Sequence, residues 1–375
     1  MAAATVRNMT SLKICMLIDT LAMGGAEKVA VTCASELSRQ GHCVAMVAYH
    51  PFNDFALRLA EAGVQTEIVR GGARCRAPRL RRFLHQGKFE IIHAYKAPCL
   101  IWGRCATFGR SEARWFGGHH ALSRDKWFVR TLCRSPLVRP SGWIVPSKAA
   151  AVIVESNYAR AGAKTFVVNN PVDLTAFRRT RTAAEAKLAL GIKPRHLIVT
   201  MVANLHPWKN YGLFLRAAQL IRKVHPEIIF LSVGRDWQHG AVQSQCQSMG
   251  LNENVRFLGH RTDVAAILEA TDLAVITSPQ ESFCLALAEA GAMGIPCVST
   301  DNGGASEIII SGQTGFLVPT NDEHEFSRRV IQLLGDSATR LTMGLAAQRR
   351  VTARFAPSQI AGRLVEIYSA GDSMA

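Results

Sequence analysis

Leu273-Ala274-Val275-Ile276-Thr277 is a short apolar run, and after three intervening residues comes Glu281-Ser282-Phe283-Cys284-Leu285-Ala286-Leu287-Ala288-Glu289. A short apolar run of this kind reads as a buried parallel strand, and the stretch after it as a turn entering a helix. Two glutamates eight positions apart lie about two turns apart, the second rotated about 80° from the first. With a helix starting near Phe283, Glu281 stands in the preceding loop beside free backbone N–H groups, and Glu289 projects from the helix body. That arrangement suits a ligand with an anionic centre and hydroxyls at both ends: amides hold the anion, and each carboxylate accepts from a hydroxyl pair. A solvated helix face with Glu281 serving as a cap fits the spacing equally well.

The same rhythm extends in both directions. Leu197 to Ala203, Ile228 to Val233, Val255 to Leu258, Cys297 to Thr300 and Gly315 to Val318 are further strands, and Tyr211 to Val224 is a helix. Upstream, Ile14 to Ile18, Val44 to Ala48, Ile91-Ile92, Trp115-Phe116, Ile144-Val145 and Phe166 to Val168 form an earlier series. Residues 178 to 194 interrupt the pattern with Arg178, Arg179, Arg181, a short Ala-rich helix, Gly191 and Pro194. Alternating strands and helices argue for parallel sheets with helices on both faces. The expected architecture is α/β: a Rossmann-like domain over 1–178, a second over 179–355, and a final helix in 356–375 returning to the first.

The 375 residues are enough for two such domains, and with 48% hydrophobic and 19% charged residues the composition excludes disordered and fibrous classes. No apolar run reaches the roughly 18 residues needed to span a bilayer. Met1 to Ser11 lacks the apolar core of a signal peptide. Ten cysteines without CxxC pairs read as reduced thiols in a cytoplasmic protein. The chain nets +16, and residues 70 to 181 hold 22 basic against 5 acidic residues, so the rest nets −1. A solvated basic face is one reading. An anionic membrane surface or a phosphorylated substrate is the preferred one, since no nucleic-acid-binding module is present.

Other strand ends carry candidate chemistry. Gly24-Gly25-Ala26-Glu27 opens a helix after the first strand, where glycine lets backbone approach a ligand closely. Ala203-Asn204-Leu205-His206-Pro207-Trp208-Lys209-Asn210 offers a lysine beside the second domain's first strand, and Asp301-Asn302-Gly303-Gly304-Ala305-Ser306-Glu307 is another glycine turn. His119-His120 follows the strand at Trp115-Phe116, and His93, also at a strand end, is expected to face the loop. No cluster has the spacing of a metal site. No Asp-x-Asp occurs to hold a divalent ion on a diphosphate, and there is no G-x-S-x-G nucleophile elbow.

In order along nearly the whole chain, these pieces resemble family 4 of the glycosyltransferases (glycosyl transferases group 1), retaining enzymes with two Rossmann-like domains facing each other across a cleft, the GT-B fold. Glu281 to Glu289 resembles the family's E-x7-E motif. Gly24 to Glu27, Asn170-Pro171-Val172-Asp173 with Phe177, Lys209-Asn210, Gly303 to Glu307 and Gly315 to Pro319 fall in family order. The resemblance implies that Gly25 faces the donor diphosphate or the acceptor, and that His120 orients the reacting sugar. His120 is favoured over His119 because His120-Ala121-Leu122 running into Lys126 and Arg130 matches the family's histidine loop better. Lys209 would contact the diphosphate and Glu281 the donor sugar. The amides of Phe283, Cys284 and Leu285 would hold sugar and phosphate, and Glu289 the ribose. Gly234, Arg235 and Leu258 would flank the base. Asn204 stands where the family commonly has Arg, with His206 or Arg235 as substitutes, and Ser282-Phe283-Cys284 replaces Gly-Phe-Gly.

What this implies is a retaining hexosyltransferase that needs no metal or other cofactor. It would take a UDP- or GDP-sugar and a glycan or lipid-linked acceptor, building cell-surface polysaccharide or lipopolysaccharide as a peripheral protein on the inner face of the membrane. Nucleic acid is not an expected partner. A nucleotide-sugar epimerase of similar fold, and a binding or scaffold protein of this fold with reduced catalysis, are the alternatives.

Overall fold

A computed structural model describes residues 11–108, 111–120 and 125–370. The chain divides into two compact units. The first comprises residues up to Pro146, Ala150–Val168 and the segment from Pro357 on; the second comprises Ser147–Ala149 and Asn169–Ala356.

The first unit holds a seven-stranded sheet, all pairings parallel, in the order β3-β2-β1-β4-β5-β6-β7. Its strands are β1 (Lys13–Ile18), β2 (Cys43–Ala48), β3 (Gln65–Ile68), β4 (Ile91–Ala94), β5 (Arg114–Gly118), β6 (Gly142–Val145) and β7 (Thr165–Val167). The central strands are buried on both faces, which is why they read as unbroken apolar runs. Cys15, Leu17, Ile92, Trp115 and Trp143 lie in one core with the helices covering that face. The edge strand β3 is only half-buried and carries Gln65, Thr66 and Glu67, so no apolar run announces it. The helix Pro357–Ser369 buries Ile360, Leu364, Val365 and Tyr368 and packs on the helix Gly25–Arg39.

The second unit holds a six-stranded parallel sheet in the order β10-β9-β8-β11-β12-β13. Its strands are β8 (Ile198–Val202), β9 (Ile229–Val233), β10 (Val255–Phe257), β11 (Leu273–Ile276), β12 (Cys297–Thr300) and β13 (Gly315–Val318). This unit begins before residue 179. Val172 N donates to Phe355 O at 2.8 Å, and Val172 and Phe177 sit in the second core, so residues 169–178 follow their side chains into it. The interruption after them folds as the helix Ala183–Ala189, started by a capping box in which Thr182 and Glu185 satisfy each other's backbone N–H groups.

Candidate active site

In each sheet the strand order reverses once, between β8 and β11 in the second unit and between β1 and β4 in the first. Open parallel sheets bind ligands just beyond the carboxyl ends of the strands at such a reversal.

In the second unit, Lys209 closes the short 3-10 turn Pro207–Lys209 after β8, and Glu281 lies in the loop after β11. Lys209 Nζ meets Glu281 Oε1 at 2.5 Å, both side chains largely covered. The loops are tied at two further points: Thr277 Oγ1 donates to Lys209 O at 2.9 Å, and Glu281 N donates to Asn302 O at 2.9 Å. The helix Leu285–Ala292 starts one turn later with Cys284 as its N-cap, so the first amides of that helix are presented in the same loop as Glu281. Phe283 is buried and turns its ring edge-on to Phe355 at 5.3 Å, so what it offers a ligand is its amide. Cys284 is buried and burial pushes its thiol well up, leaving a neutral group. Leu285 is half-buried at the helix start. Glu289 is 5% exposed, which rules out the solvated helix face. Glu289 is thus a buried carboxylate on the helix whose N-cap is Cys284.

Asn204, Gly234, Arg235 and Leu258 meet at neighbouring strand ends. Asn204 Oδ1 accepts from Arg235 N at 2.8 Å, Gly234 N donates to Gly259 O at 2.9 Å, and Leu258 N to Ser232 O at 2.8 Å. A Cβ at Gly234 would lie 2.2 Å from Ala203 O, so glycine there lets the loops after β8 and β9 touch. Arg235 is exposed and its guanidinium lies 5.8 Å from the Trp237 ring. His206 stacks on Trp208. Glu307 Oε1 accepts from Lys148 N at 2.8 Å and its Oε2 from Asn169 Nδ2 at 3.4 Å.

In the first unit the reversal gathers residues that the sequence motifs left apart. Asp19 directly follows β1, Glu27 lies in the first turn of the helix Gly25–Arg39, and Lys96 follows β4. Lys96 Nζ donates to Asp19 Oδ1 and Oδ2 at 2.7 and 2.8 Å and to Glu27 Oε1 at 3.0 Å. Gly25 is exposed, and a Cβ there would meet nothing within 4 Å. At Gly24 a Cβ would come 2.3 Å from Glu27 Oε2, so the end of that side chain would have to shift to admit one. His120 stacks on Tyr95, ring centroids 5.2 Å apart, and Tyr95 stacks on His93 at 4.6 Å. Burial, with the charges of His119 and Lys96 adding to it, holds the His120 imidazole down at about 3, so it is neutral at pH 7. His93 faces the core instead of a loop: it is 1% exposed and its Nδ1 lies 2.7 Å from Tyr368 Oη. Ala121 and Leu122, which continue the histidine loop, lie outside the described residues.

Asp19, Lys96 and Tyr95 carry no motif. The only signal for them is position, within two residues of the end of a parallel strand. Among the described residues no group of three or more His, Cys, Asp or Glu is arranged to hold a metal ion.

A family model described as Glycosyltransferase Family 4 matches residues 23–176, and one described as Glycosyl transferases group 1 matches residues 183–350. Between them they cover most of both units. The chain belongs to glycosyltransferase family 4. It is 30% identical over 193 residues to the N-acetyl-alpha-D-glucosaminyl L-malate synthase of Bacillus anthracis, a match spanning 51% of this chain and 50% of that one. It is 29% identical over 311 residues to the D-inositol 3-phosphate glycosyltransferase of Corynebacterium urealyticum, covering 76% of this chain and 72% of that one. Among solved structures, Anabaena HepE in complex with UDP-glucose superposes with a TM-score of 0.84 at 22% identity, over 96% of this chain and all of the other. This family 4 chain has the GT-B fold class, and it is a glycosyltransferase.

Proposed function

We propose that the chain moves a hexose-type sugar, with retention of anomeric configuration, from a nucleotide-diphosphate sugar to a hydroxyl of a lipid-linked glycan. The observation that carries this reading is the Lys209–Glu281 pair set before the helix Leu285–Ala292, which bears the buried Glu289. Lys209 and the first amides of that helix would take the diphosphate, Glu281 the sugar hydroxyls and Glu289 the ribose. As the bond from C1 to the β-phosphate oxygen breaks, negative charge grows on that oxygen, and a preorganised ammonium and amide dipoles lower its energy. The acceptor oxygen bonds to C1 on the same face, and its proton passes to the departing phosphate oxygen. The oxocarbenium-like transition state is that of glycoside chemistry in general. His120, neutral and held flat against Tyr95, would orient hydroxyls by hydrogen bonds without adding charge.

A nucleotide-sugar donor is also what the HepE complex binds. A thermal-shift panel of UDP, GDP and ADP with their sugars tests this: one nucleotide should raise the melting temperature, and Glu289→Ala should remove that rise. Glu281→Ala should mainly slow transfer. Independence from metal is part of the proposal, and transfer undiminished by a chelator is its test.

Association with the inner face of the membrane is the second half of the proposal. Phe108 and Trp127 are each 71% exposed in the first unit, with Phe128, Leu132 and Leu137 also exposed. Arg130 lies on the helix Trp127–Cys133 that carries three of these side chains, and Lys126 and Arg134 cap its two ends. A cavity of about 650 Å³ between two helices is lined by Arg81, Arg82, His85, Cys105 and Phe108. Among the described residues no helix is long and apolar enough to cross a membrane. Basic residues near an anionic surface contribute roughly 1 kcal/mol each, and aromatic side chains seat at the interface. Sedimentation with phosphatidylglycerol vesicles should be strong at low salt and fade as salt rises; indifference to the vesicles at low salt overturns this half.

A further inference from the structure

The reversal of the first sheet, between β1 and β4, holds a charged cluster that the proposed chemistry leaves unused. Lys96 is shared between the two oxygens of Asp19 and one oxygen of Glu27. The cluster is open to solvent, with the Lys96 and Asp19 side chains 32% and 38% exposed. Its surroundings are built up. Asp19 Oδ1 also accepts from Thr20 N at 3.0 Å, and the loop that follows is held by Met23 N donating to Asp54 Oδ2 at 2.7 Å. Tyr95, next to Lys96 in the chain, lies flat against His120, and the charge of Lys96 is among the influences acting on that ring. Strand order thus brings the glycine loop, His120 and this triad to one place, the place where open parallel sheets bind ligands.

We propose that Asp19, Glu27 and Lys96 form an acceptor site that binds the hydroxyls of an uncharged sugar or polyol ring and disfavours a phosphate ester or carboxylate at that ring. The reasoning is electrostatic and rests on the glycosyltransferase reading above. Each carboxylate oxygen accepts more than one hydrogen bond, so hydroxyl donors find free lone pairs on Asp19. The single ammonium is already shared by two carboxylates, and the triad nets −1. An incoming anion therefore meets a net negative charge in the triad, whose one cation is already shared. Lys28, next along the helix from Glu27, stands about 100° around its axis. The Corynebacterium urealyticum relative, by its name, acts on an inositol phosphate; on this proposal the present chain differs from it.

The test uses the full chain, the nucleotide sugar that gives the thermal shift, and paired acceptor probes: methyl glucoside against its 6-phosphate, and myo-inositol against D-inositol 3-phosphate. A neutral member should be glycosylated with kcat/KM at least tenfold above its phosphorylated partner. Asp19→Asn should raise the KM of the neutral acceptor about tenfold, leave the KM of the donor within twofold, and narrow the neutral-to-phosphorylated ratio. Glu27→Gln, which also keeps the side-chain shape, should act in the same direction. Preference for a phosphorylated probe overturns the proposal, as does an unmoved acceptor KM in Asp19→Asn. So does a protein that hydrolyses the donor yet glycosylates neither neutral probe. If no nucleotide sugar is bound or hydrolysed, the glycosyltransferase reading itself fails and this inference falls with it.

Discussion

Both units bring a lysine and a carboxylate to the reversal of strand order, but with opposite polarity. In the second unit Lys209 follows β8 and its partner Glu281 follows β11; in the first, Asp19 follows β1 and Lys96 follows β4. The second pair is one-to-one, with side chains 21% and 15% exposed. In the first, one ammonium serves two carboxylates and stands more open to water. The difference decides what each can hold. Lys209 loses a single partner when it turns to a diphosphate and has helix amides nearby to share the anion. Lys96 would have to leave two carboxylates, and the site it left would be doubly negative. On the two proposals, one topology would build an anion site and a hydroxyl site, according to which strand supplies the cation.

The largest effect should come from the anion site. Lys209→Ala removes a preorganised donor, and transfer should fall at least a hundredfold in kcat/KM for the nucleotide sugar, about 3 kcal/mol. Glu281→Ala leaves the ammonium in place and should cost less. The double variant sharpens the contrast. If Lys209 acts on the phosphate, adding Glu281→Ala lowers the rate further. If Lys209 serves only to hold Glu281, the double variant is no slower than Lys209→Ala, because the residues then act as one unit.

The two sites were unequally legible in the sequence for the same geometric reason. Glu281 through Glu289 forms a loop and the helix after it, contiguous in the chain, so its spacing survives in one dimension. The glycine loop was visible too, although the glycine that lies against the Glu27 carboxylate is Gly24, while Gly25 is open. Asp19 and Lys96 are separated by two intervening strands and meet only because β4 pairs with β1. Among the strands, β3 escaped notice because this half-buried edge strand, Gln65-Thr66-Glu67-Ile68, has no apolar run to show, whereas every strand flanked on both sides did. The boundary after residue 168 was hidden because Val172 and Phe177 look like any apolar residues, and which core they enter is a tertiary choice.

Acid should act selectively on the first unit. Burial, as the largest cause, holds His93 and His120 at about 3 in the fold, whereas an unfolded histidine takes its proton near 6.5. Between those values the unfolded chain binds more protons, so stability is fully present above pH 6.5 and is lost as pH falls toward 3. At pH 5 the loss should be about 2 kcal/mol for either ring. Hydrogen exchange is the check: amides of β4 and β5 should lose protection between pH 7 and 5, after correction for intrinsic exchange, and His120→Gln should flatten that dependence. Equal loss of protection in β8 and β11 would break the contrast between the units.

The smallest effect expected is on the stability of the hydroxyl site, and it bears directly on the acceptor experiment. Asp19→Asn removes one of two carboxylates from a lysine that keeps Glu27 at 3.0 Å, in a position screened by water. An exposed ion pair contributes about 0–1 kcal/mol, so the denaturation midpoint should scarcely move. Glu27→Gln should cost more, since Glu27 is buried and its carboxylate lies against Gly24, leaving no water to replace the lost charge. The order of the two variants therefore reverses between the measurements: Glu27→Gln is the more damaging to stability, and Asp19→Asn, whose oxygens face the solvent, the more damaging to acceptor KM. If both measurements rank the variants alike, the triad is a structural brace, and the likeness between the two reversals is one of topology alone.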